Sequence, residues 1–352
     1  MIETTRRILL IRTDASTKIG TGHLMRCLAL GQAWQDAGGR AVFLMAIEVP
    51  ALGSRLRSEG MEVVHLPVKP GSLEDAAQTA DFAQKIGADW VVVDGYHFGA
   101  DYQRVIKERG LHLLFIDDMG HAEHYYADLV LNQNIHAHEG LYRNREPYTR
   151  LLLGTRYVLL RREFLKWRGW KREIPEVARK VLVTMGGSDP YNVTLKVTQA
   201  LQQVDVDGLE AIVVVGASNP HYQELQSIVQ DSRFPIRLET NVTNIPELMA
   251  WADVAIAAGG TTCWELAFMG VPSLVLVLAE NQRPIAEGLA RVGAVVSFGW
   301  FKHVSIADIT STLSHLLFDK KRRAQMIQCA QRLVGENGVL NILKELDRIK
   351  SA

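Results

Sequence analysis

Ile8-Leu-Leu-Ile-Arg-Thr-Asp-Ala-Ser-Thr-Lys-Ile-Gly-Thr-Gly-His23 is the stretch whose reading decides the fold. Its apolar start, Ile8–Ile11, reads as a buried strand. After it, Leu24, Leu28, Leu30 and Trp34 recur at the spacing of an amphipathic helix. Gly20, Gly22 and His23 therefore fall on a strand-to-helix loop. In an open α/β sheet such loops line the crevice at the carboxyl ends of the strands, where ligands bind. Glycines let a phosphate or sugar approach the backbone, and a helix N-terminus favours anions. A histidine there can take or give a proton near neutral pH. The same residues also suit a plain tight turn. A dinucleotide fingerprint calls for a small residue three positions after the second glycine, and that position holds Met25.

The chain has 352 residues, a length that suits two domains, and 47% of them are hydrophobic. Lys+Arg and Asp+Glu both number 39, so the formal net charge is zero. That balance argues against a general nucleic-acid binder, which needs a basic face. Cys27, Cys263 and Cys329 are odd in number and far apart, as expected of reduced thiols in a cytoplasmic protein. Cys27 and Cys263 fall at predicted helix starts, where packing is the expected role. Glu3, Arg6 and Arg7 precede the first apolar run, which is neither a signal peptide nor a membrane span.

Strand-like runs alternate with helical patterns almost throughout. The first half gives strands at Ile8–Ile11, Ala41–Leu44, Val63–Leu66, Trp90–Asp94, Leu113–Asp117 and Leu129–Asn132. Amphipathic segments such as Leu73–Ile86 and Asp101–Glu108 lie between them. The charged and aromatic stretch Arg143–Arg172 breaks the rhythm and suits an interdomain connection. Strands resume at Val181–Thr184, Ala211–Val215, Ile236–Leu238, Val254–Ala257, Ser273–Leu278 and Ala294–Ser297. Helical patterns separate them, and the tail from Ile306 onward is helical. Such alternation implies parallel sheets with right-handed crossovers. The expected architecture is α/β, with two Rossmann-like doubly wound domains facing across a cleft. Residues 1–160 would form the first domain, 175–305 the second and 306–352 a helical segment.

Two further glycine-rich loops lie in the second half. Met185-Gly-Gly-Ser-Asp-Pro-Tyr-Asn192 connects a strand to a helix, and Ser188 or Asp189 can cap that helix. A plain capped turn fits it equally well. In Ala258-Gly-Gly-Thr-Thr-Cys-Trp-Glu265, two hydroxyls and free amides converge at a helix start, as a diphosphate cradle requires. Glu265 lies one turn in, where a carboxylate can accept both hydroxyls of a ribose. Gly270-Val-Pro272 leads into the next strand, and Asn281-Gln282 follows on the next loop.

Thr261-Thr-x-x-Glu265, Gly270-x-Pro272 and Gln282 resemble the nucleotide-sugar site of two-domain GT-B glycosyltransferases of the MurG type. Arg12-x-Asp14, Gly20-x-Gly-His23-x-x-Arg26, Asp94-x-Tyr96, Asp117-Asp118, Asn132-Gln-Asn134 and Gly186-Gly-Ser-Asp189 narrow the resemblance. Together they resemble the pseudaminic-acid pathway hydrolases, the PseG family, which act on UDP-2,4-diacetamido-2,4,6-trideoxy-β-L-altropyranose. The similarity runs from about Arg7 to about Arg291. It implies an inverting, metal-independent bacterial hydrolase on a GT-B scaffold, in which water replaces the acceptor, the C1–O bond breaks and UDP leaves. His23 takes the place of the family's catalytic histidine, the general base on that water. Asp14, Gly20, Gly22, Arg26, Tyr96, Asp118 and Asn134 are expected to bind substrate in the first domain. Gly187, Ser188, Val242, Thr261, Thr262, Glu265, Asn281 and Gln282 are expected to do so in the second.

Other readings stand beside this one. Asp205-Val-Asp207 is formally a metal-binding DxD, in a polar turn that reads as solvated. His121, His124, His136 and His138 invite zinc but lack cysteine partners. Asp117-Asp118 can orient His23 or bind sugar hydroxyls. Asp14 and Arg26 can hold the His23 loop or pair with each other. No cofactor, metal, nucleic acid, membrane or obligate protein partner is expected. A glycosyltransferase with a UDP-sugar donor, or a silent nucleotide-sugar binder, would share most of these motifs.

Overall fold

Residues 7–16, 19–187, 189–216 and 219–350 are described in the computed structural model. Seven short apolar runs pair in parallel to make the first sheet: β1 (Ile8–Thr13), β2 (Arg40–Met45), β3 (Glu62–His65), β4 (Trp90–Asp94), β5 (Leu113–Ile116), β6 (Leu129–Asn132) and β7 (Arg150–Leu153). Their order is β3-β2-β1-β4-β5-β6-β7. Alternate residues of β1 go to different cores. Leu9 and Ile11 join the helices Gly22–Asp36 and Gly338–Lys350 on one face. Leu10 joins Leu73–Ile86 and Ala100–Glu108 on the other. With both faces covered, the strands read as continuous apolar runs, as buried parallel strands do.

The second sheet is also parallel. It holds β8 (Lys180–Thr184), β9 (Glu210–Val215), β10 (Ile236–Thr240), β11 (Val254–Ala258), β12 (Ser273–Val277) and β13 (Val295–Trp300). Its order is β10-β9-β8-β11-β12-β13. Each sheet thus reverses its winding once, between β1 and β4 in the first and between β8 and β11 in the second. Ligand crevices of open α/β sheets form at such reversals. The register pairs Thr13 with Asp94 at the first and Thr184 with Ala257 at the second.

The stretch 143–172, expected to be a plain connection, carries β7, the edge strand of the first sheet. Its run Arg150-Leu-Leu-Leu153 is too closely flanked by charged and aromatic residues to stand out. The chain divides into two compact units. One comprises Met1–Ile19, His23–Arg162 and Asn337–Ala352, and the other Gly20–Gly22 and Glu163–Glu336. The helical tail is therefore shared. Ile306–Phe318 and Lys320–Leu333 stay with the second unit, while Gly338–Lys350 returns to the first. Val339, Ile342, Leu343 and Leu346 bury one stripe of that last helix beside Tyr157 and Leu159. Among the described residues, no helix is long and apolar enough to cross a membrane.

Candidate functional site

The first unit gathers its polar residues at the carboxyl ends of β1, β4, β5 and β6. Gly22 opens the helix that follows β1, so His23 and Arg26 lie one turn apart on the same face. Asp94 is the last residue of β4, Asp118 lies just past β5, and Asn132 closes β6 two residues before Asn134. His23 Nδ1 lies 2.6 Å from Asp94 Oδ1. Arg26 grips Asp94 with two donors, Nε to Oδ2 at 2.6 Å and Nη2 to Oδ1 at 2.7 Å. Its third nitrogen, Nη1, donates to Asp118 Oδ1 at 2.6 Å. Asp118 also accepts from Asn134 Nδ2 at 2.7 Å and from the Tyr96 hydroxyl at 2.8 Å. The Tyr96 ring stands edge-on to the His23 imidazole, with centroids 4.8 Å apart.

This cluster is buried: Asp94 and Asn134 have no exposed surface, and His23, Arg26 and Asp118 have 6% or less. Tyr96, at 38%, is the exposed edge of the group. Burial by itself pushes Asp94 and Asp118 up. The Arg26 guanidinium outweighs it and holds both carboxyls below their ordinary range. Cys27 Sγ lies 3.4 Å from Asp94 Oδ2, and burial with that charge pushes its thiol far up. Burial pushes Cys263 up to about 12 as well. Neither sulfur is a thiolate at neutral pH, so packing accounts for both.

One alternative left open by the sequence falls. Asp14 and Arg26 do not pair. Asp14, 1% exposed, takes Arg12 Nη1 at 2.6 Å and the amides of Ala46 and Ile47 at 2.8 and 3.0 Å. Arg12 in turn holds Asp75 through Nε and Nη2 at 2.9 and 2.7 Å. Asp14 therefore ties together the loops after β1 and β2. Of the acidic pair, Asp118 shares Arg26 and Tyr96 with His23, whereas Asp117 faces elsewhere. Asp117 organises its own loop, accepting from the amides of Met119 and Gly120, from the Tyr125 hydroxyl and from His121 Nδ1. The carboxylate against the imidazole is Asp94, the first residue of the Asp94-x-Tyr96 motif.

Three of the four histidines that invite zinc have protein partners. His121 Nε2 meets Phe98 O, His124 Nε2 meets Glu146, and His136 Nε2 meets Asp118 O. Among the described residues, no three His, Cys, Asp or Glu side chains are grouped to hold a metal. Asp205 and Asp207 are exposed.

In the second unit the two glycine loops follow β8 and β11, the strands flanking its reversal. Gly186 takes φ +89°, a conformation natural to glycine. Gly216 must be glycine because a Cβ there would stand 2.1 Å from Gly187 O. Asp189 caps the start of the helix Val193–Gln202; the expectation for Ser188 lies outside the described residues. Asp189 accepts from Val193 N, Thr194 N and Thr194 Oγ1 at 2.9, 2.7 and 2.6 Å. After β11, Gly259-Gly260 passes directly beside Gln282: a Cβ on Gly259 would lie 3.3 Å from Gln282 Cβ. Gln282 Oε1 accepts the Leu278 amide at 2.9 Å, which fixes this side chain against the loop. Thr261, Thr262, Glu265, Asn281 and Gln282 are all half-buried. Val242 lies on the loop after β10, also half-buried. Thr261, Thr262, Glu265 and Gln282 thus share the carboxyl end of β11 and β12.

Comparison with known proteins bears on this arrangement. Residues 181–345 match the glycosyltransferase family 28 C-terminal domain. The structure of Acinetobacter baumannii MurG superposes with a TM-score of 0.66, over 97% of this chain and 99% of that one, at 14% identity. The fold is that of the GT-B glycosyltransferases. In sequence, the chain is 25% identical over 292 residues to the UDP-2,4-diacetamido-2,4,6-trideoxy-β-L-altropyranose hydrolase of Campylobacter jejuni, covering 82% of this chain and 98% of the hydrolase. It is 27% identical over 279 residues to the uncharacterized protein MJ1062 of Methanocaldococcus jannaschii, covering 78% of this chain. The match spans only 56% of that archaeal relative's length.

Proposed function

We propose that this GT-B protein hydrolyses a UDP-activated 2,4-diacetamido-2,4,6-trideoxy-hexose, with UDP-2,4-diacetamido-2,4,6-trideoxy-β-L-altropyranose as the favoured substrate. The observation that carries this reading is the buried His23 held against Asp94 at the winding reversal of the first sheet. An imidazole so placed can act as general base on water. Water attacks C1, its proton passes to His23, and the C1–O bond breaks with inversion. The electron pair of that bond leaves on UDP, and His23 later returns its proton to solvent. UDP is a good leaving group, so its charge needs stabilisation more than a proton. The amides and hydroxyls of Thr261 and Thr262, with Gly187 and Ser188, are assigned to its phosphates. Glu265 is assigned to the ribose, Val242 to the base, and Asn281 and Gln282 to the rest of the nucleotide-sugar. Tyr96, Asp118 and Asn134 are assigned to the sugar. Arg26 and Asp14 serve by positioning.

The GT-B fold favours one other reading, transfer of the sugar to a second sugar. A single experiment separates the two. The protein is incubated with a panel of UDP-sugars, without acceptor and with EDTA, and UDP and free sugar are measured. Release of both in equal amounts supports hydrolysis. UDP-sugars that bind but stay intact until an acceptor is added would establish the transferase.

A further inference from the structure

We propose that Arg172 is a positioning residue for the nucleotide: it ties together the trailing ends of the two short helices whose leading residues are assigned to UDP. Arg172 is half-buried in the irregular stretch before β8. Among the described residues, its hydrogen-bond partners are five main-chain carbonyls. Three close the helix Ile245–Trp251: Nη2 donates to Met249 O, and Nη1 to Ala252 O and, at 3.4 Å, to Ala250 O. Two close the helix Thr262–Phe268: Nε donates to Gly270 O at 2.8 Å and Nη2 to Met269 O at 3.4 Å. The Trp170 ring covers one face of the guanidinium, its centroid 4.9 Å from the central carbon. Burial pulls Arg172 down to about 10 while the Asp253 charge opposes it, so the side chain keeps its proton at neutral pH.

The last four carbonyls of a helix have no partner inside it, and a cation at that end also meets the negative end of the helix dipole. In helices of seven residues such carbonyls are a large share of the whole. Met249, Ala252, Met269 and Gly270 are buried, so water does not serve them in place of Arg172. The other ends of the same helices carry the nucleotide assignments. Val242, assigned to the base, lies just ahead of Ile245, while Thr261, Thr262 and Glu265, assigned to phosphates and ribose, open the second helix. A helix of this length spans only about 10 Å. Holding both trailing ends on one planar fork therefore fixes the spacing of the leading ends too. A lysine keeps the charge but is a point donor and cannot bridge both helices in that way. Arg172 touches no ligand in this scheme and acts through Val242, Thr261, Thr262 and Glu265.

The inference rests on the nucleotide assignments of the proposed function and not on hydrolysis. Coupling between two sites is reciprocal, so it is tested from both sides. In the first arm, Arg172→Lys is compared with the wild type for UDP affinity by calorimetry, well below the variant's melting temperature. Kd should rise about fivefold or more, the lower bound of typical coupling. Where turnover is measured, KM should rise with it while kcat stays within about twofold, because His23 belongs to the first unit. A lower melting temperature with an unchanged Kd would make Arg172 a purely structural residue and overturn the proposal. The second arm needs no variant and so decides even if Arg172→Lys does not fold. Amide hydrogen exchange of the wild type is followed with and without UDP. Ala252, Met269, Gly270 and Val271, whose amides bond back into the two helix ends, should exchange more slowly with UDP bound. Protection confined to residues 259–265, with these four amides unchanged, would overturn the proposal while leaving the nucleotide assignments standing. A wild type that takes up no UDP would overturn those assignments and this proposal together.

Discussion

Arg26 bridges the buried carboxylates of Asp94 and Asp118. Replacing it by Met leaves two buried carboxylates without a counter-charge, a change that generally costs about 3–5 kcal/mol. Denaturant unfolding of Arg26→Met should show a loss of that order, and a loss under about 1 kcal/mol would mean that water compensates the pair. Glu265 belongs to a milder class. It is half-buried, so the ribose bonds proposed for it would compete with solvent. Glu265→Ala should weaken UDP binding by about 1.5 kcal/mol, the low end for hydrogen bonds to a charged group. Calorimetry would register that as roughly a tenfold rise in Kd; an unchanged Kd would leave Glu265 as a helix-start carboxylate. At this scale the sequence was legible only in part. His23 and Arg26 stand three apart in one short motif and can be read together. Asp94 lies 71 residues from His23, and only the adjacency of β1 and β4 brings it there. Alternation of strands and helices gives the elements but not that neighbour relation.

Among the elements, the start of the helix Val193–Gln202 shows how a loop is fixed. Asp189 sits at φ +38°, a left-handed conformation uncommon for a non-glycine residue, and its carboxylate covers the first two amides of the helix. Asp189→Ala removes these bonds. The expected loss is about 1–2 kcal/mol, as for a strong helix cap. The midpoint of unfolding should fall accordingly in a denaturant titration, whereas an unshifted midpoint would show that the loop re-forms without it. The sequence offered Ser188 and Asp189 equally as caps, because both residue types favour the position. Asp189 points its carboxylate back at the amides, which residue type alone did not decide. The edge strand β7 escaped sequence reading because its run Arg150-Leu-Leu-Leu153 is embedded in a charged and aromatic stretch that carries no other strand signal.

For the whole molecule, the buried carboxylates of the first unit set its response to acid. Asp14 is lowered to about 2: burial opposes this, and His97, Arg12 and the Ile47 amide outweigh it. Asp94 and Asp118 are lowered too. A lowered folded-state pKa contributes stability that is complete above the unfolded value, about 3.9, and is lost as pH falls through the folded value. Stability should therefore hold from neutral pH down to about 4 as far as these groups decide it, and the Asp14 share should vanish between there and about 2. Thermal melts across that range test this; a decline already complete near pH 5 would point to other groups. Function at this scale rests on the hydrolase assignment, in which the charge of leaving UDP is met by amides and hydroxyls. Turnover should accordingly persist in EDTA, and a loss restored by magnesium or manganese would remove that mechanism. The most direct test of the account is His23→Asn, measured for UDP release from the diacetamido-trideoxy UDP-sugar and for UDP binding in parallel. The expected result is a loss of about 10²–10⁴-fold in turnover, roughly 3–5 kcal/mol of transition-state stabilisation, with UDP affinity and thermal stability nearly unchanged. Near-normal turnover by a folded His23→Asn protein would contradict it.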